Sequence, residues 1–89
     1  MVNTQITIIN KLGLHARAAA KFVSTAASFG CKIHACKDGK AVDGKSIMAI
    51  MMLAASQGTL LEIRAEGEDE QDALSALCAL INNRFDEAE

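Results

Sequence analysis

The chain has 89 residues, hydrophobic side chains at 51% of its positions and a formal net charge of −2. This size allows one two-layer core and excludes a deep, enclosed active site. No stretch approaches the roughly 20 apolar residues of a membrane span, and the N-terminus lacks the regions of a secretory signal. We therefore expect one domain over residues 1–89, located in the cytoplasm and not inserted in a membrane.

The first predicted elements are a strand and a helix. Residues 4–9 alternate polar and apolar side chains at their centre, which predicts a strand with Ile6 and Ile8 facing the core. Residues 16–28 have the spacing of an amphipathic helix, which begins at His15. The apolar face of this helix comprises Ala19, Phe22, Val23 and Ala26.

The middle of the chain predicts a hairpin and a second helix. Residues 31–37 and 40–43 have the pattern of short strands, and Asp38-Gly39 between them is typical of tight turns. Ser46 can cap a short apolar helix that runs over residues 47 to about 54.

The last third predicts a strand, a helix and a free end. Residues 60–66 alternate apolar and charged side chains, and residues 70 to about 83 predict a helix with acidic residues in its first turn. We expect residues 86–89 to form a frayed tail. The order β-α-β-β-α-β-α predicts an α+β fold with the helices on one face of the sheet. Periodicity alone leaves a ferredoxin-like strand order open.

The cysteines and His34 give no sign of a special site. Cys31, Cys36 and Cys78 lack the spacing of a metal site or a disulfide framework. We expect plain thiols, with Cys31 and Cys36 pointing to opposite faces of a strand, and an exposed His34. We expect neither a metal nor a cofactor.

The charges are distributed unevenly. Residues 1–45 carry seven Lys or Arg against two Asp or Glu, whereas residues 46–89 carry two against nine. If the fold gathers Lys11, Arg17, Lys21 and Lys45, their field would steer an acidic protein toward His15. Nucleic acid is not expected, because the chain is acidic overall and its three aromatic residues are all Phe.

His15 is the candidate reactive residue, because it stands where a strand gives way to a helix. The first N–H groups of a helix have no partner within it and attract anions. Arg17 adds a permanent cation whose planar fork suits phosphate oxygens. On local sequence alone, a second interpretation is equally open: His15 merely occupies a helix start, and Arg17 is a solvated surface charge.

Two motifs indicate a family. Gly13-Leu14-His15-Ala16-Arg17 resembles the active-site signature of HPr, the histidine-containing phosphocarrier family of the bacterial phosphotransferase system. Residues 44–55 resemble the family's segment around a regulatory serine, here Ser46, and the chain length and element order agree. The resemblance implies an antiparallel sheet ordered 1-4-2-3. One departure is Ala18, where the family very often has proline; alanine restores a backbone N–H.

The resemblance also implies a function and partners. A protein of this family is not an enzyme: its histidine, here His15, takes a phosphoryl group from Enzyme I and passes it to a IIA protein. Arg17 and the amides of Ala16 and Arg17 would bind the phosphoryl oxygens. Ser46 would be phosphorylated where the host has an HPr serine kinase/phosphorylase, although its other interpretation is a plain helix cap. The protein would act as a monomer, and the expected partner contacts are Lys45, Ile47, Met48 and Met51.

Two alternatives remain open at this point. The first is a regulatory binding module, as in nitrogen-related branches of the same system, that signals through its phosphorylation state. The second is a small hydrolase with His15 as nucleophile. The hydrolase is disfavoured because the sequence indicates no carboxylate beside His15 that could activate water.

Overall fold

A computed structural model describes residues 1–89 and contains the predicted elements in the predicted order. The strands are β1 (Val2–Thr7), β2 (Lys32–Lys37), β3 (Lys40–Asp43) and β4 (Leu60–Glu66). The helices are α1 (Ala16–Ala27), α2 (Ile47–Met52) and α3 (Glu70–Asn82), followed by a short turn at Arg84–Asp86. No helix combines the length and the apolar character that crossing a membrane requires.

The four strands form one antiparallel sheet in the order β1-β4-β2-β3, which confirms the order implied by the resemblance and excludes the ferredoxin-like alternative. β4 lies between β1 and β2, so Ile63 faces Thr4 on one side and Ala35 on the other. β1 begins and ends two residues earlier than predicted. Ile8 leaves the regular ladder because its backbone bonds instead to Gly58 and Thr59 in the turn before β4.

The helices cover one face of the sheet and enclose a single core cluster. β4 contributes Leu61, Ile63 and Ala65, the three apolar positions that alternation predicted. The helices add Phe22, Ile50, Leu77 and Ile81, all fully buried. Burial of each such large side chain contributes roughly 1.5–3 kcal/mol.

Helices α1 and α2 run in opposite directions, and this decides what lies beside His15. The Leu14 amide donates to the Ala55 carbonyl over 2.9 Å, so the end of α2 adjoins the start of α1. At the other end, Lys45 Nζ donates to the carbonyl of Phe29 over 2.7 Å. Lys45 therefore lies at the far end of α1, and the expected gathering of Lys45 with the basic residues near His15 is wrong.

Ser46 caps α2 as predicted: its Oγ accepts a hydrogen bond from the amide of Ala49 over 3.3 Å. The helix ends at Met52, earlier than predicted, because Ala54 has a left-handed backbone with φ of 53°. Lys37 Nζ donates to the carbonyls of Leu53 and Ala54 over 2.9 and 3.2 Å. This places a cation at the negative end of the helix dipole.

The expectation of a frayed tail over residues 86–89 is wrong. Arg84, Phe85 and Asp86 have φ values of 56°, 53° and 63°, and this left-handed turn reverses the chain after α3. The Phe85 side chain is fully buried, and its carbonyl accepts a hydrogen bond from Lys21 Nζ over 2.9 Å. Left-handed backbone costs about 1–2 kcal/mol per non-glycine residue, so these tertiary contacts hold the turn.

The cysteines and His34 lie where expected. Cys31 belongs to the core cluster, whereas Cys36 is buried outside it, and all three cysteines are free thiols. Burial raises the pKa of each thiol, which keeps these side chains protonated and unreactive at neutral pH. His34 is exposed on β2, opposite Asp43 and Arg64 on the neighbouring strands.

Candidate functional site

His15 is the residue that precedes the first turn of α1. Its backbone is extended, with φ of −72° and ψ of 179°, and its side chain is 28% exposed. Gly13 makes the approach possible: its φ is 67°, and a Cβ there would lie 2.6 Å from the Ala55 carbonyl oxygen. Only glycine fits this combination of left-handed backbone and close contact.

The first turn of α1 offers unused hydrogen-bond donors beside His15. The amides of Ala16, Arg17 and Ala18 donate to no acceptor in the structure, and the first helical bond runs from Ala19 to the His15 carbonyl over 2.8 Å. Free N–H groups and the helix dipole together favour a bound anion at this end. Ala18 supplies one of these donors, which a proline would lack.

Arg17 is exposed and forms no ion pair with any residue of the chain. It borders a surface cavity of about 690 Å³ that also includes His15. The remaining lining residues are Lys11, Leu12, Ala16, Glu87, Ala88 and Glu89. The cavity thus joins the imidazole, a free guanidinium and the start of a helix, a combination suited to binding a phosphate group.

A carboxylate contacts the imidazole, contrary to the expectation that none lies beside His15. Oε2 of Glu87 is hydrogen-bonded to Nε2 of His15, and Oε1 of Glu87 accepts a hydrogen bond from Asn10 Nδ2 over 3.0 Å. Asn10 Nδ2 also donates to the Gly13 carbonyl over 2.8 Å. The docked tail brings Glu87 to this position.

The environment of Glu87 favours its ionised form. Burial pushes its pKa upward, but hydrogen bonds from Asn10 and His15, together with the charges of His15 and Arg17, outweigh that effect. The net result is a pKa below the ordinary value. Glu87 is therefore a carboxylate at neutral pH.

Sequence reasoning missed both Glu87 and Asn10. Glu87 is 72 positions from His15 and carries no local pattern that would connect the two. Asn10 is fully buried, the only polar residue of the chain that is. The one available signal was the position of Asn10 between the predicted first strand and Gly13. A buried side-chain amide at such a position requires hydrogen-bond partners.

The expected basic cluster is only partly present at the cavity. Lys11 lines it, and its Nζ lies 3.4 Å from a carboxylate oxygen of Glu89. Lys21 is held by the Phe85 carbonyl and lies 3.5 Å from Asp86. Arg17 is therefore the unpaired cation of the site.

An apolar surface lies on α2. Ile47, Met48, Met51 and Met52 are 44%, 73%, 41% and 66% exposed; we call these four residues the methionine face. Ile50 of the same helix is fully buried, so α2 presents one side to the core and the other to solvent. Leu12, 67% exposed, adds an apolar side chain at the cavity.

Comparisons with known proteins point to one family. A family model described as "PTS HPr component phosphorylation site" matches residues 2–83. A relative named "Phosphocarrier protein HPr" from Pseudomonas aeruginosa is 62% identical over 86 residues, 96% of each chain. One named "Phosphocarrier protein NPr" from Shewanella violacea is 40% identical, covering 94% of this chain and 92% of its own. A solved structure of HPr from Thermoanaerobacter tengcongensis matches with a TM-score of 0.96 and 49% identity, covering 100% of both chains.

Proposed function

The chain belongs to the HPr family of phosphocarrier proteins, and on this premise we propose that His15 accepts a phosphoryl group from Enzyme I and passes it to a IIA protein. The family acts in the phosphotransferase system as a carrier and not as an enzyme. One observation carries the assignment to His15: a partly exposed imidazole beside free helix-start amides and an unpaired Arg17.

The free amides of Ala16 and Arg17 bind the phosphoryl oxygens in this proposal. The helix start is already formed before the phosphoryl group arrives, so little reorganisation is needed. A charge at an exposed helix terminus is typically stabilised by about 0.3–1 kcal/mol. A small stabilisation suits a carrier, because the group must leave as readily as it arrives.

Arg17 neutralises charge on the phosphoryl group during transfer. Its guanidinium has no competing ion pair within the chain, and it lies near enough to Glu87 to influence the pKa of that carboxyl. Two parallel N–H donors match two phosphoryl oxygens, which a lysine cannot reproduce. Arg17→Lys should therefore slow transfer while leaving the fold intact.

The methionine face is the proposed docking surface for Enzyme I and IIA proteins, with Ile47, Met48 and Met51 as the expected contacts. Flexible thioether side chains adapt to different partner surfaces. Lys45 contributes less than expected, because its Nζ is occupied by the Phe29 carbonyl. We propose that the protein docks as a monomer, in the cytoplasm.

Ser46 is proposed as a control point in hosts that have an HPr serine kinase/phosphorylase. Its hydroxyl caps α2 directly before the methionine face. A phosphate there would suit the helix start but would add negative charge beside the docking surface and weaken binding of acidic partners.

The test is the intact mass after incubation with phosphoenolpyruvate and a bacterial Enzyme I. We expect one added phosphoryl group that is labile in acid and absent from a His15→Ala variant. The His34→Ala variant, which loses the other histidine of the chain, should still be phosphorylated. A phosphate that persists in His15→Ala would contradict the proposal.

The acceptor is identified in a second assay with the phosphorylated protein. Transfer to a sugar-specific IIA protein would support a role in sugar uptake. Transfer to a nitrogen-type IIA alone would support the regulatory module. The 62% identity to an HPr, against 40% to an NPr, favours the sugar branch.

A further inference from the structure

We propose that Glu87, held by Asn10, is a positioning residue that fixes the tautomer of His15 by keeping the proton of the neutral imidazole on Nε2. The inference rests on the proposed carrier function of His15. It starts from one contact: the carboxylate of Glu87 is hydrogen-bonded to Nε2 of the imidazole. Glu87 does not itself touch the phosphoryl group.

The chemistry of the contact determines where the imidazole proton lies. A carboxylate is only an acceptor, so the nitrogen facing it must carry the proton. Glu87 is ionised at neutral pH, because its hydrogen bonds and neighbouring charges lower its pKa. A neutral imidazole with hydrogen on Nε2 has its lone pair on Nδ1.

Asn10 fixes the position of the Glu87 carboxylate by a hydrogen bond. Its Nδ2 donates both to Glu87 and to the Gly13 carbonyl, and these two acceptors allow only one orientation of the amide. The Asn10 side chain is fully buried, and its Oδ1 has no partner. Such an orphaned oxygen is unfavourable in a buried site, and the two hydrogen bonds that Nδ2 donates offset part of this cost.

Contacts on both sides of Glu87 hold the tail in place. Phe85 is fully buried two residues before Glu87, and Lys21 binds the Phe85 carbonyl. After Glu87, the Glu89 carbonyl accepts a hydrogen bond from the Lys11 amide. Glu87 is thus attached on both sides to the segment that contains His15.

Glu87 takes up no proton in the proposed transfer step. The Nδ1 lone pair forms a bond to phosphorus, and the bond from phosphorus to the donor breaks, with its electron pair leaving on the donor. The proton stays on Nε2, and the positive charge that develops on the imidazole is stabilised by the Glu87 carboxylate. Onward transfer reverses these changes.

The tautomer is measured directly by nitrogen-15 NMR of the imidazole at about pH 8, above the ordinary titration range of histidine, on the unphosphorylated full chain. We expect Nε2 of His15 to carry hydrogen and Nδ1 to have the shift of a lone-pair nitrogen. In Glu87→Gln, Asn10 requires the amide oxygen, so the amide NH₂ faces Nε2 and the pattern should reverse. His34 provides an internal reference.

A matched control separates this effect from the loss of charge. Glu89→Gln removes one carboxylate from the same tail and touches Lys11 rather than His15, so the tautomer should stay as in the unmodified chain. The inference is overturned if Glu87→Gln leaves the imidazole pattern unchanged, or if Glu89→Gln reverses it as well.

Phosphorylation kinetics give the second readout. With Enzyme I and phosphoenolpyruvate, Glu87→Gln should be phosphorylated roughly 10–100-fold more slowly, the size of loss that is typical when a hydrogen-bond partner of a metal-ligating histidine is removed. Glu87→Asp, which keeps the acceptor, should recover part of the rate. Glu68→Gln, an exposed change before α3, should have no effect. An unchanged rate in Glu87→Gln would refute the inference.

The two proposals fail in distinguishable ways. If the unmodified chain is phosphorylated on His15 but Glu87→Gln alters neither tautomer nor rate, only the positioning role fails. If the tautomer reverses as expected but no phosphoryl group is ever accepted, the positioning of the imidazole stands and the carrier assignment fails.

Discussion

Phe85 anchors the C-terminal tail, and replacing it by alanine should cost the protein about 3 kcal/mol of unfolding free energy. A fully buried phenylalanine typically loses about 3–5 kcal/mol on truncation to alanine, and Phe85 has no exposed surface. An undocked tail can leave the left-handed conformation of residues 84–86, which costs about 1–2 kcal/mol per residue. It also loses the hydrogen bonds that Asn10, Lys11 and Lys21 donate to the tail, so the gain and this second loss largely offset each other. The net loss should therefore reach at least the lower end of the range.

For a domain of this size, a loss of 3 kcal/mol corresponds to a fall in Tm of about 12–24 °C. Urea denaturation gives the free energy, and hydrogen exchange reports the tail separately. The Lys11 amide, which donates to the Glu89 carbonyl, should exchange faster in Phe85→Ala.

The control for Phe85→Ala is Met52→Ala, at a side chain that is 66% exposed, which should change stability by no more than about 0.5 kcal/mol. A loss below about 1 kcal/mol in Phe85→Ala, with the Lys11 amide still protected, would refute the reasoning. The tail would then dock without Phe85. If Phe85→Ala loses equally little stability and the Lys11 amide is unprotected even in the unmodified chain, the tail is frayed, as the sequence suggested.

Four further predictions concern local features. Ser46→Ala should lower the unfolding free energy by about 1 kcal/mol in urea denaturation, and no change would mean that the cap bond is not formed. Ala54→Gly should raise it by up to about 1 kcal/mol, because glycine removes the strain of φ 53° at the cost of unfolded-state entropy; a loss of stability would contradict this account. Because the folded-state pKa of Glu87 is lowered, its stabilising contribution is complete above the ordinary value of 4.5 and disappears as pH falls through the lower folded value. Denaturation midpoints measured from pH 6 to 3 should therefore fall less steeply in Glu87→Gln than in the unmodified chain, and parallel curves would argue against the contact. Ala18→Pro should change the unfolding free energy by less than about 1 kcal/mol, since the Ala18 amide donates no hydrogen bond; a larger loss in thermal unfolding would show that the proline ring does not fit.

The sequence predicted those parts of the fold that local physics determines. The alternation in residues 60–66 gave the bounds of β4 and its buried face, because a strand buried on one side must alternate. Ser46 marked the start of α2, because a serine hydroxyl satisfies a free helical amide. The strand order did not follow from periodicity, which reports burial and not the neighbour of each strand. It required the family resemblance.

The tail was beyond local reasoning because its conformation is opposed to local preference. Three successive non-glycine residues in the left-handed region, Arg84, Phe85 and Asp86, are unfavourable on their own. They persist because Phe85 is buried and Lys21 binds its carbonyl, contacts formed by residues far apart in the chain. For the same reason, the sequence alone could not predict that the Glu87 carboxylate lies beside His15.

The site has a phosphoryl side, which a local sequence motif predicts, and a proton side, which depends on contacts between residues far apart in the chain. The proposed phosphoryl side consists of Gly13, His15 and Arg17, which lie within five positions at the approach to α1 and its first turn, so a short motif can specify them. His15 is partly exposed and Arg17 is exposed, and the contribution of the helix-start amides is small. In the proposed function, a phosphoryl group is therefore neither trapped nor shielded from a partner. The proton side consists of Asn10 and Glu87, buried or half-buried and joined by long-range contacts. Under the proposed positioning role, the tail holds the imidazole at Nε2, so the opposite nitrogen, Nδ1, stays free for the phosphoryl group.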